Sequence, residues 1–339
     1  MAYLSLSLVL RGKLAAGVAA AALTAASLSF SARAADVAPE IGAVDALQAL
    51  FGKHPGVRSN HAKGTVLDAT FTPTPEAAAL SKASLFAGAP VKVTVRFSDP
   101  SGNPDIADND PGANPHGMAL KFHLADKSEM DIAMISRSTF PIPDAAGFRD
   151  LFVAIAATKA DSPKPSPIEQ YMGAHPAVLA WVQSMPATPA SLANESFYGL
   201  NAFRFIARDG KVSNVRYRFV PVAGDAPRLT KDDLAKKSAT FLMDDVKERA
   251  KAGTAKFKWI VQVGGKDDKT SDVTVNWPDD RKLVTLGELN ITAASADSAK
   301  EEKGLVFMPA QAPDGIEASD DPMITARSAA YAESYGRRQ

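Results

Sequence analysis

Between residues 91 and 97 the chain reads Val-Lys-Val-Thr-Val-Arg-Phe, apolar and polar positions alternating with a period of two. That period predicts a β-strand with one face in a core. Similar runs at 119–124, 130–135, 202–207, 215–220, 257–263 and 283–292 predict further strands. Helical periodicity interrupts them at 44–51, 75–86, 144–158, 167–184 and 231–250, and returns at 321–335. Thr230 followed by Asp232 and Asp233, and Pro322 following Asp320 and Asp321, are helix-opening signals for the last two segments. Seven or eight strands at irregular spacing imply an antiparallel barrel, and the interleaved helices make the class α+β.

The first residues stand apart from this pattern. Arg11 and Lys13 precede a small, apolar run to Phe30, and Ala32-Arg33-Ala34 forms an A-x-A cleavage pattern. Residues 1–34 are therefore predicted to be a secretory signal, which places the mature chain in the periplasm. The run is too short and alanine-rich to favour a membrane span, and it lacks the Arg-Arg pair of the twin-arginine route. Residues 35–339 carry no repeat and only one low-complexity stretch, the Ala-rich patch at 292–300, so they are predicted to form one domain.

Charge and cysteine content narrow the chemistry. Setting aside Arg11, Lys13 and Arg33 leaves 35 basic residues against 38 acidic ones, a net charge of about −3. Such a surface attracts neither nucleic acid nor an anionic bilayer. Cysteine is absent, which removes disulfides, thiolate-ligated metals, thioether haem attachment and thiol peroxidase chemistry. No H-E-x-x-H, G-x-S-x-G or P-loop pattern occurs, so zinc hydrolase, serine hydrolase and nucleotide-binding functions lack support.

Near the carboxyl terminus Arg327 and Tyr331 are four residues apart, with Arg338 seven further on. On a helix the first two share a face. A phenol titrates near pH ~10, so it serves as an anionic ligand at neutral pH only beside strong positive charge. The pair is therefore either an ordinary surface-helix feature or a haem iron ligand with its charge partner. Five histidines are present, and His61 is distinguished by its company: Arg58-Ser-Asn-His61-Ala-Lys-Gly64.

That segment resembles the R-x-x-H-A-x-G stretch of haem catalases, which supplies their distal histidine. The resemblance continues in order along the chain. Val95-Arg96-Phe97-Ser98 is similar to the V-R-F-S strand, and 117–122 to the G-F-A-x-K-F strand. Trp277-Pro278 before Leu286-Gly287 is similar to W-P…V-G, and 315–320 to G-I-E-P-S-P. Arg327-x-x-x-Tyr331 with Arg338 resembles the proximal signature. The resemblance implies a catalase-like eight-stranded antiparallel barrel with packed helices around non-covalent haem b. It makes Tyr331 the axial iron ligand and Arg327 its charge partner. His61 becomes the distal base, oriented by Ser98, and Arg58, Arg96 and Arg338 the propionate partners. Phe97 and Phe148 are candidates for packing against the porphyrin.

Departures from the pattern refine the expectation. The distal asparagine of catalases is missing, and Ser136, within 134–139, is the nearest polar candidate to replace it. His116 stands where catalases carry arginine, and the chain stops eight residues past Tyr331, without the long carboxyl-terminal helical domain or amino-terminal arm of large catalases. These features resemble the catalase-related peroxidases. The implied activity is reduction of organic peroxides and hydrogen peroxide by a small-molecule or protein electron donor, with weak catalase activity at most. Holding a second peroxide is demanding, whereas a donor can deliver electrons at the haem edge. The competing functions are a non-catalytic haem or apolar-ligand carrier on the same barrel and an allene oxide synthase-like rearrangement. Monomer and homodimer are equally compatible with the sequence.

Overall fold

A computed structural model describing residues 37–339 shows how the alternating segments bury their apolar faces; the expected signal at 1–34 lies outside the described residues. The strands are β1 (Gly64–Pro73), β2 (Val91–Ser98), β3 (Gly117–His123), β4 (Glu129–Ile135), β5 (Phe197–Ile206), β6 (Val212–Pro221), β7 (Lys256–Val263) and β8 (Leu283–Ala294). Each pairs antiparallel with the next, and β1 pairs with β8, so the eight close into a barrel. A ninth, β9 (Ile316–Ala318), lies against β5. Closure leaves no long unpaired edge, which is how antiparallel sheets avoid aggregation.

The barrel interior is a packed core. Alternate residues Val93, Val95 and Phe97 of β2, and Met118, Leu120 and Phe122 of β3, are fully buried in it. Trp259 sits among Phe71, Phe122, Tyr217 and Phe219, with ring centroids 5.3–5.4 Å away. Eight strands enclose just enough space for side chains. A ligand site must therefore lie outside the barrel wall.

Strand parity corrects one expectation. Phe97 shares the inward face with Val93 and Val95, where it packs on Phe197 and Phe257 at 5.6 and 6.2 Å. It does not face a cofactor; its neighbours Arg96 and Ser98 point outward.

Helices cover the outer wall. They are α1 (Pro39–Phe51), α2 (Pro75–Leu80), α3 (Ala145–Ala157), α4 (Pro167–Ala174), α5 (Pro176–Gln183), α6 (Lys231–Ala235), α7 (Phe241–Lys251), α8 (Ser298–Gly304) and α9 (Pro322–Gly336). Three expected helices are broken in two. Pro176 forces His175 out of the helical region (φ −127°, ψ 69°) and separates α4 from α5. Asp108 accepts from the N–H groups of Leu242 and Met243 and starts α7 anew after α6. Past α2, Ser81 bonds Gly315 O, and the chain resumes as a 3₁₀ turn at Ser84–Phe86. Strand β1 had no clean alternation because both its faces are covered: Val66 and Leu67 are each fully buried, and Val66 N–H donates to Ser298 Oγ of α8.

Candidate active site

The outward faces of β2, β3 and β4, with α1, α3 and α9, enclose a cavity of about 260 Å³, far more than the roughly 10–15 Å³ one water needs. Small residues, Gly117, Ala119 and Ala133, form part of the barrel wall and let a flat ligand approach the strands closely. A Cβ at Gly117 would come within 2.7 Å of Ser98 Oγ and 2.9 Å of the His61 ring.

His61 lies on the turn between α1 and β1 with its backbone in the left-handed region, φ 53°. Arg96 Nη2 holds that turn by donating to the carbonyls of His61 (2.9 Å) and Ala62 (3.3 Å). His61 Nδ1 and Ser98 Oγ are hydrogen-bonded at 3.0 Å. Burial, followed by the positive charges of Arg96, Arg58 and Arg327, pushes the imidazole down to about 3. It is thus a neutral base at any physiological pH, with Nδ1 engaged and its other nitrogen available.

Helix α9 carries the second group. Its amino terminus is capped by Asp321, whose carboxylate accepts from Met323 N–H at 2.9 Å. One turn apart, Arg327 Nη2 donates to the phenol oxygen of Tyr331 at 3.2 Å and to Ala133 O at 3.2 Å. Arg327 also donates to Asn201 Oδ1, and Asn201 Nδ2 donates to Asp321 Oδ2 at 2.7 Å. A chain of contacts, Tyr331–Arg327–Asn201–Asp321, so ties the tyrosine to the helix cap and to β5.

A cationic end completes the cavity. Arg58, Arg96 and Arg338 line it, and Glu302 of α8 accepts from both Arg58 Nη1 and Arg96 Nε. Burial pushes the Glu302 carboxyl up, but Arg96 and Arg58 outweigh it and hold it below its ordinary value. Burial, then Arg96, lowers Arg58 to about 9. Arg338 Nε is buried without a partner among the described residues.

Of the residues singled out in the sequence, His61, Ser98, Arg58, Arg96, Phe148, Arg327, Tyr331 and Arg338 line this one cavity. Ser136 does not: its Oγ accepts from His116 N–H at 3.1 Å, at the end of the β3–β4 pair away from their connecting turn. His116 is likewise fully buried elsewhere, with Nδ1 2.8 Å from Glu195 Oε2. Glu302, Asn201 and Asn60 also belong to this arrangement without having stood out in the sequence. Asn60 adjoins His61, lines the cavity, and has its Oδ1 buried without a partner among the described residues. Its place inside the R-x-x-H segment was the available signal.

The family model described as Catalase matches residues 19–339. The chain belongs to the catalase family. It is 33% identical over 298 residues to a catalase-related peroxidase of Synechococcus elongatus, covering 87% of each chain. To a catalase-related peroxidase of Mycolicibacterium paratuberculosis it is 36% identical over 297 residues, covering 86% of this chain and 92% of the relative. Among solved structures, a bacterial catalase superposes with a TM-score of 0.74 over 84% of this chain at 22% identity, which shows the shared fold. The chain spans 58% of that catalase's length.

Membership in the catalase family implies a haem group, and the cavity fits one. Its barrel wall is kept flat at Gly117, a phenol oxygen and a neutral imidazole both reach it, and its cationic end holds an unpartnered guanidinium N–H.

Proposed function

We propose that this chain is a haem b-dependent peroxidase that reduces organic peroxides and hydrogen peroxide with an electron donor and has weak catalase activity at most. The observation that carries the reading is one cavity lined by a neutral His61 bonded to Ser98 and by Tyr331 bonded to Arg327. The relatives named catalase-related peroxidase support it. The absence of cysteine is consistent with non-covalent attachment.

In this reading Tyr331 would hold the iron through its phenol oxygen, and Arg58, Arg96 and Arg338 would receive the propionates, whose burial requires cationic partners. Phe148, which lines the same cavity, would pack beside the porphyrin. When bound, haem supplies the redox chemistry. His61 would accept a proton from one peroxide oxygen and return it to the other as that oxygen departs, as a base and then an acid. Ser98 fixes the ring's tautomer through Nδ1, leaving Nε2 for the substrate. Asn60, rather than Ser136, offers a polar side chain to the peroxide beside His61. The electron donor is a small molecule or a protein, and the chain works as an exported, periplasmic enzyme.

A carrier on the same barrel would have no use for a base kept neutral by its surroundings. Ferric absorption spectra and paired assays test the assignment. Purified protein is expected to show a high-spin ferric haem spectrum that Tyr331→Ala abolishes, and to oxidise a donor faster than it evolves oxygen. Oxygen evolution without a donor at the higher rate would refute the peroxidase assignment. The His61→Ala variant is expected to keep its Soret band and lose turnover; a wild-type protein that holds haem but turns over no peroxide, with His61→Ala holding haem equally well, would favour the carrier.

A further inference from the structure

Behind the arginines at the cationic end of the cavity stands an acidic side chain that none of the motifs assigns. Glu302 uses Oε2 for Arg58 and Oε1 for Arg96, so one carboxylate orients two guanidinium groups. Three residues on, the carbonyl of Leu305 accepts from Arg58 Nη2 and from Arg338 Nη2. All three arginines are thus gathered onto the short segment 302–305. The arrangement is sheltered: the side chains of Arg96, Arg58 and Glu302 are 3%, 14% and 20% exposed.

Charge counting gives the arrangement a purpose. Three guanidinium groups less one carboxylate leave a net charge of two, the complement of the two carboxylates at the edge of a haem. Without Glu302 three like charges would face each other in a half-buried space, where repulsion is weakly screened. That repulsion is already felt, since Arg96 and Arg338 both depress Arg58. The guanidinium donors are not exhausted by these contacts, because Arg338 Nε remains buried and unpartnered among the described residues.

We propose that Glu302 is a positioning residue of the propionate site, holding Arg58 and Arg96 in one orientation and setting the charge that a dianionic porphyrin edge meets. The proposal rests on the haem reading above. It concerns a residue that would touch the arginines rather than the reacting atoms.

The test follows haem loss from the holoprotein to excess apomyoglobin by the Soret change, for wild type, Glu302→Asp and Glu302→Gln. Each protein is loaded with protohaem or with protohaem dimethyl ester, which lacks the two carboxylate charges. Thermal melts verify that each variant folds. Glu302→Gln is expected to lose protohaem on the order of tenfold faster than wild type, the effect of a lost charged hydrogen bond. Glu302→Asp is expected to lie between. With the dimethyl ester all three proteins should lose the porphyrin at the same rate. Equal acceleration with both porphyrins would make Glu302 a general structural support and overturn the proposal. Retention of protohaem by Glu302→Gln as long as by wild type, or longer, would overturn it too. A wild-type protein that takes up neither porphyrin would refute the haem reading itself, and this proposal with it.

Discussion

At the scale of the residue, the decisive property of His61 is that it stays uncharged. Its folded value of about 3 lies below the ordinary value near 6.5. Between those limits the unfolded chain binds a proton that the folded chain excludes, so this group lowers stability as pH falls from 6.5 toward 3. The expected slope is below roughly 1.4 kcal/mol per pH unit. Asp99, pushed up to about 7 mainly by burial, acts in the opposite sense between about 4 and 7, so the comparison must be made between wild type and His61→Phe. The variant's melting temperature should depend less on acid pH; an identical dependence would mean that His61 is not held neutral. For activity, the acid limb of turnover should not reflect His61 protonation above about pH 4. Asn60→Ala is expected to lower turnover about 10-fold, the scale of one lost polar contact to substrate, with the Soret band unchanged. Equal turnover would remove Asn60 from the site.

Elements made some of these positions legible and hid others. The alternation of 91–97 announced β2, and its period of two already separated Arg96 and Ser98 from Phe97, although resemblance drew Phe97 toward the site. Tyr331 and Arg327 were legible because one helical turn was enough to pair them. Glu302 was not, since its partners lie 206 and 244 residues away, and a charged residue in an Ala- and Glu-rich stretch reads as solvated surface. Asn201 was hidden for the same reason, its role depending on the meeting of β5 with α9. Strand β1 escaped because α8 covers the face that would otherwise be polar. A test at this scale uses β3: Gly117→Ala puts a methyl group 2.7 Å from Ser98 Oγ. It should break the His61–Ser98 bond and cost turnover with little loss of melting temperature. A variant with full turnover would show that the strand yields at no catalytic cost.

For the whole molecule, the barrel and the site divide the work. The interior around Trp259 supplies stability, and the cavity lies on the outer wall, so the two sets of residues overlap little. Trp259→Ala should cost about 3–5 kcal/mol of folding free energy, read from denaturant titration. Tyr331→Phe should leave the barrel's unfolding transition in place while the haem spectrum changes. Coincident loss of both properties in Tyr331→Phe would mean that the fold depends on the site. The barrel was legible from strand periodicity as a class. Its closure through Ile135 and Tyr198, and the break of α4 from α5, became visible only with the chain folded.

Arg96 carries a consequence for anyone who would engineer this protein. One guanidinium grips the carboxylate of α8 through Nε and the backbone of the distal turn through Nη2. Under the proposed function, retention of the cofactor and placement of the imidazole are therefore not separate traits open to independent selection. A library varied at position 96 would move both contacts at once along a single trade-off.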